Sequence, residues 1–171
     1  MIDVREELVA LLPRMRRFAY GLSGNREDAD DLVQAACERA LERREQWTPG
    51  SRLDSWIYRI IQNLWFDRLR SRKLRGDPVD VETLEPQADE NAHRQPEVRS
   101  DMARVAAALD QLKPEHRELI MLICVEELSY KDAAQALQIP LGTVMSRLAR
   151  ARLQLHELLG GASLLMVKGQ S

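Results

Sequence analysis

Apolar residues recur at three- and four-residue steps along most of this chain, the spacing of amphipathic helices, and no convincing alternating run marks a strand. Leu8, Leu11, Leu12, Met15, Phe18 and Ala19 define a first helix, which Gly21–Gly24 is expected to break. Asn25 then offers an N-cap with Asp28 three residues on, a capping-box-like start. The helix that follows runs to about Glu45 on the line Ala29, Leu32, Val33, Ala36, Cys37, Ala40 and Leu41. A turn at Thr48–Ser51 precedes a third helix from near Leu53, with Trp56, Ile57, Ile60, Ile61 and Leu64 on one stripe. A second stripe, Trp65, Phe66 and Leu69, is rotated from the first by more than a quarter turn. Two readings stay open: a helix buried on several sides, or a local break that presents side chains to a partner.

Periodicity stops at residues 76–100, a proline-bearing acidic stretch that reads as a flexible linker. It resumes with Met102, Val105, Ala106, Leu109 and Leu112. Pro114 suits the first turn of the next helix, and the run Leu119–Val125 is apolar nearly all round, hence central. Ser129 and Asp132 form an S-x-x-D start for a short helix over Tyr130–Leu137. A tight turn and a longer helix follow, which together make a helix-turn-helix pattern. The fold class is therefore all-α: two small helical domains, 1–75 and 101–160, joined by the acidic linker 76–100 and followed by a tail, 161–171.

Charge refines this division. The formal net charge is only −2, yet residues 1–75 carry 15 basic and 12 acidic side chains, and the linker carries 2 and 7. The acidic balance sits in the linker and hides a mildly basic first half. Cys37 and Cys124 are the only cysteines; two distant thiols among apolar neighbours make neither a disulfide framework nor a metal site, and both read as buried free thiols. No leader-like start and no apolar stretch of membrane-spanning length is present, so a cytoplasmic protein is expected. His93, His116 and His156 are scattered, no glycine-rich phosphate loop occurs, and no catalytic residue, metal ligand or cofactor is assigned.

Two segments carry candidate chemistry. In the last helix, Val144, Leu148, Ala151 and Leu155 share a narrow arc that should pack inward, while Ser146, Arg147 and Arg150 project outward. Arginine pairs with guanine or with phosphate through two bonds, so the outer face suits a DNA groove; a packing module remains the alternative. Arg152, on the opposite flank, suits phosphate or an acidic neighbour. The basic run Arg68–Arg75 follows Trp56, Tyr58, Trp65 and Phe66, in a chain with eight aromatics in all. Rings beside cations suit single-stranded nucleic acid, against the alternative that the tryptophans are core.

The stretches DADDLVQAACERAL (Asp28–Leu41), LDSWIYRIIQNLWFDRLRSRK (Leu53–Lys73) and Leu112–Arg152 together resemble the extracytoplasmic-function (ECF) type of alternative sigma factor of bacterial RNA polymerase. The resemblance implies a non-catalytic subunit that binds core polymerase, promoter DNA both duplex and melted, and an anti-sigma factor, with no membrane insertion. It places Asp28, Asp31, Leu32, Val33 and Gln34 on the clamp helices of the largest polymerase subunit. Trp56, Tyr58, Arg59 and Asn63 would help melt and hold the minus-ten element, with Arg68, Arg70, Arg72 and Lys73 on nearby phosphates. Lys131, Thr143, Ser146, Arg147 and Arg150 would serve the minus-thirty-five element, and the outer surface of the helix-turn-helix would meet the polymerase flap. The chain departs from the family at Gln138, where a turn glycine is common, and at Met145 and Ala149, where relatives often carry basic and aromatic or histidine side chains. A left-handed backbone at Gln138 would cost about 1 kcal/mol. A stand-alone helix-turn-helix regulator is the rival class, as is a sigma-like decoy.

Overall fold

The computed structural model describes residues 3–76 and 96–161. Most of the linker and all but the first residue of the tail lie outside them. The described residues form α1 (Val4–Ser23), α2 (Arg26–Glu42), a 3-10 turn (Arg44–Gln46) and α3 (Leu53–Arg75). After the linker come α4 (Pro96–Asp110), α5 (Pro114–Leu119), which continues as a π-helical segment (Ile120–Val125), α6 (Tyr130–Leu137) and α7 (Leu141–Leu158). Among the described residues there is no strand.

The N-terminal half is a three-helix unit in which α1, α2 and α3 pack pairwise. Its start signals act as expected. The Asn25 side chain accepts the Asp28 N–H at 3.1 Å and caps α2, a contact worth about 1 kcal/mol. Gly21 does not break α1, which runs on to Ser23 and stops at Gly24, left-handed at φ 67°. Gly21 is instead an approach point: a Cβ built there would lie 2.8 Å from Met121 Cγ and collide with the rest of that side chain. The second stripe of α3 is resolved in favour of burial. Trp65 is buried, and Phe66 and Leu69 pack partly buried against the core.

In the C-terminal half α7 packs on α4, α5 and α6. Val144, Leu148, Ala151 and Leu155 are all buried, so the inward arc of α7 is as expected. Ser129 caps α6 by accepting the Asp132 N–H at 3.0 Å. Gln138 ends α6 in the left-handed conformation, φ 55° and ψ 45°, the geometry a glycine would adopt without strain. Two boundaries differ from expectation. Helix α4 is already formed at Pro96, inside the stretch assigned to the linker. The central apolar run leaves α geometry at Ile120 for a π segment, an insertion periodicity cannot register. Cys37 and Cys124 are free but half-buried rather than buried.

The two halves share one core. Helix α3 packs on α6, and α1 packs on α5 and the π segment. Arg117 on α5 reaches across to donate to the Gly21 carbonyl while pairing with Asp110 at 2.5 Å.

Candidate nucleic-acid interface

On α2, the exposed positions of the expected polymerase-docking segment are Asp31 and Gln34; the Gln34 amide donates to Glu38 at 3.3 Å. Leu32 and Val33 are buried in the core and so hold the helix in place rather than offering side chains to a partner. Asp28 is engaged within the chain, accepting from Arg72 at 2.9 Å and from Arg68 at 3.3 Å.

That pairing ties the start of α2 to the basic end of α3. Arg72 also stacks over the Trp65 ring, 5.7 Å from its centroid, and Arg70 pairs with Asp67. Lys73 is exposed. Three of the four expected phosphate contacts thus already have an acidic neighbour, which lowers their field at a distance but leaves partly exposed cations able to exchange partners.

Further up α3, Asn63 is exposed, Arg59 and Trp56 are half-buried, and Tyr58 is 1 % exposed. The Tyr58 ring meets Phe18 edge-on at 4.9 Å, and its hydroxyl donates to Glu126 at 2.9 Å. Burial, reinforced by the Glu126 charge, pushes its pKa well above the ordinary tyrosine value. In this conformation Tyr58 cannot touch a base.

On the helix-turn-helix, Lys131, Ser146 and Arg150 are exposed and Thr143 and Arg147 half-buried. The Ser146 hydroxyl donates to the Thr143 carbonyl at 3.2 Å. These groups flank the N-terminal half of α7, held outward by the buried arc beneath them. Met145 is also exposed, giving this surface an apolar element beside its cations. Within the chain, Arg152 donates to the Tyr130 hydroxyl at 3.4 Å and lies beside Cys124.

A cluster between the halves escaped sequence reasoning. Glu126, whose side chain is fully buried, accepts from Arg17 at 2.7 and 3.0 Å, from Arg14 at 3.2 Å and from Tyr58. Arg14 also reaches Asp54 at 3.2 Å, and Arg52 bridges Asp54 at 2.7 Å and Asp132 at 2.5 Å. Burial opposes the Asp54 charge, but hydrogen bonds from Arg52 and the Arg52 charge outweigh it and hold the carboxyl below its usual range. Nearby, Glu118 is buried with Oε2 unpartnered, beside Gln62 of α3. Burial pushes its pKa up to about 8.

Two family models match this chain in order: Sigma-70 region 2 over residues 8–75 and Sigma-70 region 4 over residues 102–155. The ECF RNA polymerase sigma factor EcfG of Rhodopseudomonas palustris is 37% identical over 92% of this chain and 85% of its own length. The chain belongs to the ECF sigma factor family. ECF sigma factor SigM of Mycobacterium tuberculosis is 35% identical over 86% of this chain and 72% of its own. Among solved structures, the sigma factor RpoE in complex with the anti-sigma factor NepR from Bartonella quintana superposes with a TM-score of 0.80 at 31% identity. That match covers 94% of this chain and 99% of that one. CnrH in complex with the cytosolic domain of CnrY gives a TM-score of 0.65 at 26% identity, covering 92% and 88%. The region 2 match takes in nearly all of α1–α3 and the region 4 match takes in the helix-turn-helix, so each candidate surface lies within its own matched region. No helix among the described residues is long and apolar enough to cross a membrane.

Proposed function

We propose that this ECF sigma factor is a non-catalytic specificity subunit that acts in the cytoplasm by binding energy alone. Its N-terminal half docks on the clamp helices of core polymerase through the exposed edge of α2 at Asp31 and Gln34, with Asp28 beside them. Asn63, Arg59 and Trp56 engage the melted minus-ten strand, and Tyr58 joins them once uncovered. Arg68, Arg70, Arg72 and Lys73 follow its phosphates. Ser146, Arg147, Arg150, Lys131 and Thr143 face the minus-thirty-five duplex, where phosphate contacts position the domain and base contacts specify the sequence. The outer surface of the helix-turn-helix meets the polymerase flap. An anti-sigma factor restrains the protein, a reading supported by the complexes in which its structural relatives were solved.

The observation that carries this reading is α7: a fully buried arc on one side and, on the other, exposed Ser146 and Arg150 in the second helix of a helix-turn-helix. A stand-alone duplex reader would leave the second nucleic-acid surface, on α3, without a purpose. The test uses purified core polymerase with duplex and pre-melted promoter templates. Wild-type protein is expected to bind core polymerase and open the duplex. Asn63→Ala is expected to keep polymerase binding and lose duplex opening, with recovery on the pre-melted template. No association with core polymerase would refute the assignment.

A further inference from the structure

The two DNA elements this family addresses are named about 25 base pairs apart, which at ~3.4 Å per base pair is about 85 Å of duplex. A compact chain of this size has a radius of gyration near ~16 Å, hence a diameter of about 40 Å. With α3 packed on α6 and α1 on α5, the two DNA-facing halves cannot lie on both elements at once. The arrangement in the structure is therefore a closed state that must come apart for initiation.

The closing contact is built around one residue. Glu126 sits where the π segment ends, and the backbone there is bent to aim it. Its N–H bonds the Met121 carbonyl at 2.9 Å, Leu128 N–H bonds the Leu122 carbonyl at 2.9 Å, and Glu127 takes the left-handed region at φ 58°. A non-glycine residue held there costs free energy, and π insertions are frequent at functional sites. The bend carries the Glu126 carboxylate out of its own half and into a slot lined by Arg14 and Arg17 of α1 and Tyr58 of α3. Both oxygens are filled from the other half: Oε1 by Arg17, and Oε2 by Arg14, Arg17 and Tyr58. Arg52–Asp132 fastens the rim.

We propose that Glu126 is a latch that holds the sigma factor shut on itself. It makes the free protein self-inhibited, before any anti-sigma factor acts. The proposal rests on the sigma-factor reading for its consequence, but the latch itself rests on the packing. Its chemistry suits a reversible closure. Arg14 and Arg17 remain 33% and 51% exposed at the side chain, so they re-enter water easily when Glu126 leaves. Tyr58, a minus-ten candidate, is the group the latch covers, so opening the domains and uncovering a promoter contact are one event. Glu126→Gln keeps the shape and one acceptor oxygen but removes the charge that both arginines address. Because the ion pairs exist only in the closed state, the substitution weakens that state and leaves the open one unchanged.

The experiment measures inter-domain distance by double electron–electron resonance, in the full chain with Cys37→Ser and Cys124→Ser. Spin labels are placed at the exposed positions Glu42→Cys and Glu157→Cys. Wild type is expected to give one narrow, short distribution. Glu126→Gln is expected to shift the open-to-closed ratio at least about tenfold, with helix content unchanged by circular dichroism, and to bind core polymerase correspondingly more tightly. Identical distributions for the two proteins, or a broad long one for wild type, would overturn the latch. Failure of both proteins to bind core polymerase while the distances still shift would instead remove the sigma-factor reading and leave the closure standing.

Discussion

Replacing Glu118 with glutamine tests the polar burial near the inter-domain contact. The carboxyl is 3 % exposed with one oxygen unpartnered, and its pKa is raised to about 8 against an ordinary value of 4.5. Unfolding releases it into water, where it ionises near 4.5. A raised carboxylate pKa means the folded state holds the proton more tightly, so stability is greatest below pH 4.5, falls as pH rises, and levels off above about 8. Each unit of that window costs up to ~1.4 kcal/mol, a ceiling of about 5 kcal/mol across it. Water entry and local opening reduce this, and about 2–3 kcal/mol by pH 8 is the working figure. Glutamine has the same shape without the ionisation. Urea unfolding followed by circular dichroism at pH 5, 6, 7 and 8 should show Glu118→Gln close to wild type at pH 5 and progressively more stable above it. A difference that stays constant with pH would refute the inference that Glu118 is held protonated by burial.

Other substitutions probe separate parts of the structure. Gln138→Gly removes left-handed strain of about 1–2 kcal/mol but adds unfolded-state freedom of about half that, so a small rise in thermal midpoint is expected. Gly21→Ala drives a methyl into the Met121 side chain and should destabilise by about 1–3 kcal/mol in denaturant unfolding, with part recovered by adding Met121→Ala. Arg150→Ala should weaken binding to a minus-thirty-five duplex by about 1–3 kcal/mol if it makes a paired base contact, measured by fluorescence anisotropy. An unchanged affinity would take Arg150 off that surface.

Periodicity and caps made much of the fold legible. The buried arc of α7, the Asn25 and Ser129 caps and the bounds of α6 follow from local rules, because each is decided within a few residues. The departures came from tertiary packing. Gly21 reads as a helix breaker in isolation and proved to be the gap that Met121 fills. Trp65 reads as a candidate base-stacking ring and proved to be core, since α3 is covered by α1, α2 and α6. Glu126 gave no local signal at all: it is an acid after an apolar run, and its partners Arg14, Arg17 and Tyr58 lie 112, 109 and 68 residues away. Of the expected site residues, Asp31, Gln34, Asn63, Lys131, Ser146 and Arg150 stand exposed, while Leu32, Val33 and Tyr58 are buried. Sequence spacing cannot distinguish a surface from the same surface closed against a partner domain.

Transcription in vitro from a template library randomised around the minus-ten and minus-thirty-five positions, with purified core polymerase and this protein, decides whether the chain is a working sigma factor. Sequencing the transcripts should reveal two enriched motifs at a fixed separation, and Arg150→Ala should degrade the upstream motif alone. Transcripts no more enriched than those made by core polymerase without the protein would contradict the assignment of promoter recognition to these two domains.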